Sequence, residues 1–191
     1  MSYIKTEAEI ALLSEGGKVI GGILETLAGL VRPGASTAHI DTTAERLILE
    51  AGGTPAFKGY RPRGLKTPFP ATICASVNAE VVHGIPTKEK ILKDGDLFTI
   101  DIGMQYPYRK KESKKGGRPS GDGLFTDTAL TVPVGRISKE ARELMRVTKE
   151  ALEAGIAVCR PGNTVADIGK AIEQYVHSRG SYGIVRELCG H

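Results

Sequence analysis

Leu97-Phe98-Thr99-Ile100-Asp101-Ile102-Gly103 and Leu124-Phe125-Thr126-Asp127-Thr128-Ala129-Leu130 are the stretches on which the reading of the fold turns. Both read as strands, and each carries an aspartate in its interior. A lone aspartate in such a run ordinarily marks a turn, a cap or an ion pair, because an ionised carboxylate inside a sheet is costly unless its charge is compensated. Two such runs change the reading. In the first, period-two alternation puts Asp101 on one face with Leu97 and Thr99, and Phe98, Ile100 and Ile102 on the other. In the second, Asp127 shares a face with Phe125, Ala129 and Thr131. Antiparallel pairing would turn both carboxylates into one cavity, where they repel unless a divalent cation lies between them. Histidines are at hand at His83, in the turn His83-Gly84-Ile85-Pro86, and at His191. Oxygen donors with one imidazole suit manganese, iron, cobalt or zinc. A bridging carboxylate holds two such ions about 3.5–4 Å apart and lets them activate a shared water for hydrolysis. His83 is a candidate to hydrogen-bond a substrate amide or to donate a proton. His39 and His177 fall on predicted helices and read as surface residues.

Four helices flank these strands. Thr6-x-x-Glu9 is a capping-box spacing, and the helix it opens runs towards Leu30, stopping before Arg32-Pro33-Gly34. The second starts near Ser36 or Thr37 and presents Ile40, Ala44, Leu47 and Ile48 on one side; Gly52-Gly53 ends it. The third follows Ser138, with Leu144, Val147, Ala151, Ala154 and Val158 on one side. The fourth starts at Asn163 or Thr164, buries Ile168, Ile172, Tyr175 and Val176, and ends at Gly180. Residues 72–78 alternate as a further strand, and Lys93-Asp94-Gly95-Asp96 reads as a turn. Arg32-Pro33-Gly34 recurs as Arg160-Pro161-Gly162, and at that shift of 128 residues Glu15 meets Glu143, Ile40 meets Ile168 and Gly52 meets Gly180. A run of matches at one offset points to an internal duplication. The expected organisation is a single α+β domain over 1–191, with a first half at 1–134 and the start of a second at 135–191. Equivalents of the first half's strands would fall at 201–260, so the second half is expected to lack most of its strands and the chain to be incomplete at its C-terminus.

The net charge of +4 is uneven: residues 109–118 hold six basic side chains and one acid, leaving the remainder at −1. A solvated loop is the ordinary reading of such a run, and contact with ribosomal RNA is the alternative. Three scattered cysteines (Cys74, Cys159 and Cys189) do not make a disulfide framework. Cys159 and Cys189 read as small buried residues in a reducing cytoplasm. No signal-peptide pattern or bilayer-length apolar run is present, so no membrane is expected.

Taken in order, Val82-His83-Gly84-Ile85-Pro86, Thr99-Ile100-Asp101-Ile102-Gly103, Thr126-Asp127-Thr128-Ala129 and Cys189-Gly190-His191 resemble the type I methionine aminopeptidases, from Ile4 to His191. The resemblance implies a pita-bread fold, two similar α+β halves around two divalent metal ions. It implies Asp101, Asp127 and His191 as metal ligands, with Asp127 bridging, and His83 as the residue that contacts the scissile peptide. Cys74 matches a position lining the pocket for the methionine side chain. The implied reaction is removal of the initiator methionine from nascent polypeptides by a cytoplasmic monomer, with small second residues preferred. Two departures accompany it. The family's two glutamate ligands lie beyond its Gly-His motif, and the basic segment lengthens a connection that relatives make as a short hairpin.

Two other readings compete. A non-catalytic pita-bread binding module, ribosome-associated through residues 109–118, would ordinarily have lost Asp101, Asp127, His83 and His191, all of which remain. A proline-specific peptidase or creatinase would carry an extra N-terminal domain, for which there is no room. With three of five ligands expected, these 191 residues alone should bind two metals weakly and turn over slowly. A Met-Ala-Ser assay with added Co²⁺ or Mn²⁺ checks this; rates typical of the family would overturn it.

Overall fold

The computed structural model describes residues 4–61, 64, 66–108 and 123–188, in two compact units that divide between Ile137 and Ser138. The first unit opens with α1 (Glu7–Ala28). Its N-terminus closes as the spacing requires: the Thr6 hydroxyl accepts the Glu9 N–H, and the Glu9 carboxylate accepts the Thr6 N–H at 2.7 Å. The second helix, α2 (Thr37–Glu50), ends at Gly52, whose φ of +80° suits a residue without a Cβ. Four strands follow: β1 (Thr54–Pro55), β2 (Ile73–Val77), β3 (Leu97–Tyr106) and β4 (Leu124–Pro133). The short β1 is not apparent in the sequence pattern.

β3 is the spine of the sheet. It pairs antiparallel with β2 and β1 along one side and with β4 along the other. Its alternation is the one predicted. Phe98, Ile100, Ile102 and Met104 are fully buried, and with Ile73 and Ala75 of β2 they form the sheet side of the core. Ile20, Leu24 and Leu27 of α1 and Ile40, Ala44 and Ile48 of α2 supply the helical side. One face of the sheet is therefore roofed by helices, and the face with Asp101 is left to carry chemistry. Gly16 of α1 lets the helix approach: a Cβ there would lie 3.3 Å from Thr126 of β4. Val81 and Val82 lead to His83 as exposed loop residues, not as a strand.

The second unit contains α3 (Lys139–Ala157) and α4 (Val165–Ser178). Val147, Ala151 and Gly155 line their contact, and a Cβ at Gly155 would lie 3.0 Å from Ile172. Leu144, expected among the buried residues of α3, is 44% exposed. α2 and α4 lie at the offset read from the sequence: Thr37 precedes Val165, and Glu50 precedes Ser178, by 128 residues. Gly34 and Gly162 share positive φ values of 85° and 91°. Cys159, expected to be buried, is exposed, because it lies just beyond the end of α3, where its thiol turns back onto the Gly155 carbonyl. Cys189 lies outside the described residues.

α2 also sets the start of β2. Asp41 reaches across, and its Oδ1 accepts the Thr72 N–H at 2.8 Å and the Ile73 N–H at 3.0 Å. Burial pushes its pKa above the ordinary carboxylate value, and the two N–H donors offset this only in part. The folded protein thus holds this proton to higher pH than the unfolded chain does. The stability Asp41 contributes is full below its unfolded pKa and falls as pH rises through the folded one. Asp41→Asn keeps an acceptor for both amides and removes the titration. The wild type should therefore lose stability relative to Asp41→Asn from about pH 4 upward, read as urea midpoints across that range. A difference that does not change with pH would contradict this account.

Candidate metal centre

The face of the sheet opposite the core is organised in rows, because residues paired across an antiparallel ladder point the same way. Ser76, Thr99 and Thr131 form one row, with the two threonine hydroxyls 2.9 Å apart. Cys74, Asp101 and Ala129 form the next. In the third, Asp127 stands opposite Gly103. The two aspartates are diagonal neighbours on one face, a relation that puts Cβ atoms roughly 7–8 Å apart or less. Carboxylates reaching inward from that separation leave room for a small cation. Asp101 is half-buried and Asp127, on the edge strand, is exposed. The desolvation cost inferred from sequence thus falls mainly on Asp101.

Cys74 registers the field these groups create. Its thiol pKa is pushed up to about 12, first by burial and then by the charge of Asp101, with which it shares a hydrogen bond, and by the charge of Asp127; a hydrogen bond from the His83 N–H pulls the other way. The thiol is protonated at neutral pH and donates towards Asp101. Three residues singled out from sequence (Cys74, Asp101 and Asp127) therefore share one patch of the sheet, and the main chain of the fourth, His83, borders it at Cys74. His191, the third expected ligand, lies outside the described residues, as does the basic segment 109–118. Among the described residues no group of three or more His, Cys, Asp or Glu side chains is placed to hold a metal ion. The donors present are two carboxylates in a negative local field, a set that suits a hard or borderline divalent cation.

His83 has a φ of +58°, uncommon for a residue with a side chain. It is held there by Gly84, which lies flush against β2: the Ala75 N–H donates to the Gly84 carbonyl at 2.7 Å, and a Cβ on residue 84 would come within 2.3 Å of the Ala75 carbonyl oxygen. One contributor escaped the sequence reading. Phe57 and Ala56 cover Gly103, where a Cβ would lie 2.6 Å from the Phe57 ring. The signal was a glycine in a strand interior, which marks close approach by another group. Phe57 gives the carboxylate patch an aromatic wall.

Comparison with known proteins bears on the whole chain. The family described as Metallopeptidase family M24 matches residues 11–114 and 115–191. The chain is 38% identical over 191 residues to a methionine aminopeptidase of Clostridium acetobutylicum, covering 100% of this chain and 68% of that protein. It is 37% identical over 191 residues to methionine aminopeptidase 1 of Bacillus subtilis, with the same coverage of 100% and 68%. A solved methionine aminopeptidase from streptococci superimposes with a TM-score of 0.87 at 33% identity, over 100% of this chain and 70% of that one. The chain thus spans about two thirds of the length of the curated relatives it matches.

The state of Cys74 has a direct chemical consequence. A buried, protonated thiol is a poor nucleophile. Iodoacetamide at about pH 8 should alkylate Cys159 and spare Cys74 until the protein is unfolded, as read by peptide mass mapping. Equal labelling of the two in the folded protein would refute the placement of Cys74.

Proposed function

Because this chain belongs to metallopeptidase family M24, with bacterial methionine aminopeptidases as relatives, we propose that its carboxylate face serves the hydrolysis of the first peptide bond of polypeptides that begin with methionine. The observation that carries the reading is the diagonal placement of Asp101 and Asp127 on one face of the β3–β4 ladder. Asp101 and Asp127 hold the metal, with His191 as a further donor. Two ions drawn from cobalt, manganese, iron and zinc fit the chemistry of such a set. When bound, divalent cations supply Lewis acidity and a water activated for attack.

The chain's own residues do the rest. Cys74, apolar and protonated, and the Phe57 ring offer a soft, hydrophobic surface for a methionine side chain. His83, presented beside Cys74 by the Gly84 contact, donates a hydrogen bond to the substrate peptide and helps fix the scissile carbonyl.

The substrates on this reading are the N-termini of nascent polypeptides, and the protein works as a monomer in the cytoplasm. No helix among the described residues is long and apolar enough to cross a membrane. Residues 109–118 supply a salt-sensitive contact with the ribosome. A non-catalytic module is not favoured, since the relatives are named as enzymes and the acidic pair is retained.

Mn²⁺ binding followed by electron paramagnetic resonance tests the site apart from turnover. Asp101→Asn and Asp127→Asn should each weaken binding by about tenfold or more, while Asp94→Asn, remote in a surface turn, should leave it unchanged. Binding that survives both site replacements would place the metal elsewhere.

A further inference from the structure

We propose that Ser76 is the positioning residue for His83, pinning the left-handed turn of the 78–90 loop against β2. The inference rests on the reading of His83 as a substrate contact. Ser76 lies on the same sheet face as Cys74 and is only 4% exposed. Its hydroxyl is turned to the loop, where its Oγ accepts the Gly84 N–H at 3.2 Å. With the Ala75 N–H donating to the Gly84 carbonyl at 2.7 Å, both polar groups of residue 84 are taken up by consecutive residues of β2. Residue 83 must then leave the strand edge abruptly, which accounts for its positive φ.

A second tie closes the same loop. The Glu80 carboxylate accepts the Val77 N–H at 2.8 Å and the Lys90 ammonium at 2.9 Å, and Lys90 also reaches the Ala75 carbonyl at 3.3 Å. Residues 80, 84 and 90 are thus fastened to three successive residues of β2. The ion pair is partly exposed, with 23% and 42% of the side chains accessible, so its grip is screened by water. The Ser76 bond is sheltered and only one residue from His83. Removing the hydroxyl leaves the Gly84 N–H without its acceptor, at a site too closed for a water to replace it freely. Ser76 touches neither the carboxylates nor a substrate in this scheme; it acts through the position of His83.

The test uses the 191-residue protein with ¹³C-labelled histidine, the His83 ring signal being identified by its loss in His83→Gln. In Ser76→Ala the Ala75 amide should exchange with solvent about tenfold faster. The broadening of the His83 ring signal by added Mn²⁺ should change, while Mn²⁺ affinity at the aspartates stays within about twofold. Ser76→Thr, which keeps the hydroxyl, should restore both signals. If Ser76→Ala does not fold, Glu80→Gln must move the same two signals in the same direction. Unchanged exchange and unchanged broadening in a folded Ser76→Ala protein would overturn the proposal. Faster exchange with no Mn²⁺ broadening of His83 in the wild type would instead sink the metal-site reading and leave the clamp standing.

Discussion

The antiparallel ladder between β3 and β4 is the constraint on which everything else depends. Its register pairs Asp101 with Ala129 and Gly103 with Asp127. A slip of one residue would move one carboxylate into the core, among Phe98, Ile100 and Ile102, where an ionised group has no tolerable environment. A slip of two would keep both on the open face but would either set the carboxylates directly opposite each other or move them two residues further apart. The hydrophobic alternation forbids the first error, and the helices packed on the core face hold the ladder in place against the second.

The division of labour between the two faces of the sheet follows from this. α1 and α2 roof the side lined by Phe98, Ile100, Ile102 and Met104, which makes the sheet rigid without touching the chemistry. The other side carries a row of hydroxyls, then a thiol and a carboxylate, then a glycine and a second carboxylate. Each is fixed by the main-chain hydrogen bonds of the β2–β3–β4 ladder, buried at β2 and β3 and exposed at β4, a more precise platform than a loop. Where a loop is used, at His83, it is tied to β2 at three consecutive residues. The strained backbone at His83 is thus maintained by contacts outside the residue itself.

Glycines do specific work in this arrangement. Gly84 permits the main chain of the loop to lie on β2, and Gly103 admits the ring of Phe57 over the patch. In both places a methyl group would meet a neighbour well inside van der Waals contact. These close approaches bring the main chain of a polar loop and an aromatic wall to the edge of the acidic pair, combining charge with an apolar surface.

Much of this was legible in the residues alone. Helix limits, the two faces of β3 and β4, and the offset between the halves are written in local periodicity and turn chemistry, which depend on neighbours a few positions away. The convergence of Asp101 with Asp127 was legible as a possibility, since alternation specifies a face. It does not specify a register: any shift by two residues reads the same in the sequence, and only the packed sheet selects one. The same limit hid the cover of Gly103 by Phe57, the anchoring of β2 by Asp41, the hydroxyl of Ser76 under Gly84 and the exposure of Cys159. Each depends on which distant segments meet, or fail to meet, in three dimensions. The chain by itself determined which residue types were available and which side of each strand they occupy. The tertiary structure decided their neighbours, because contact between segments tens of residues apart is set by packing and not by local pattern.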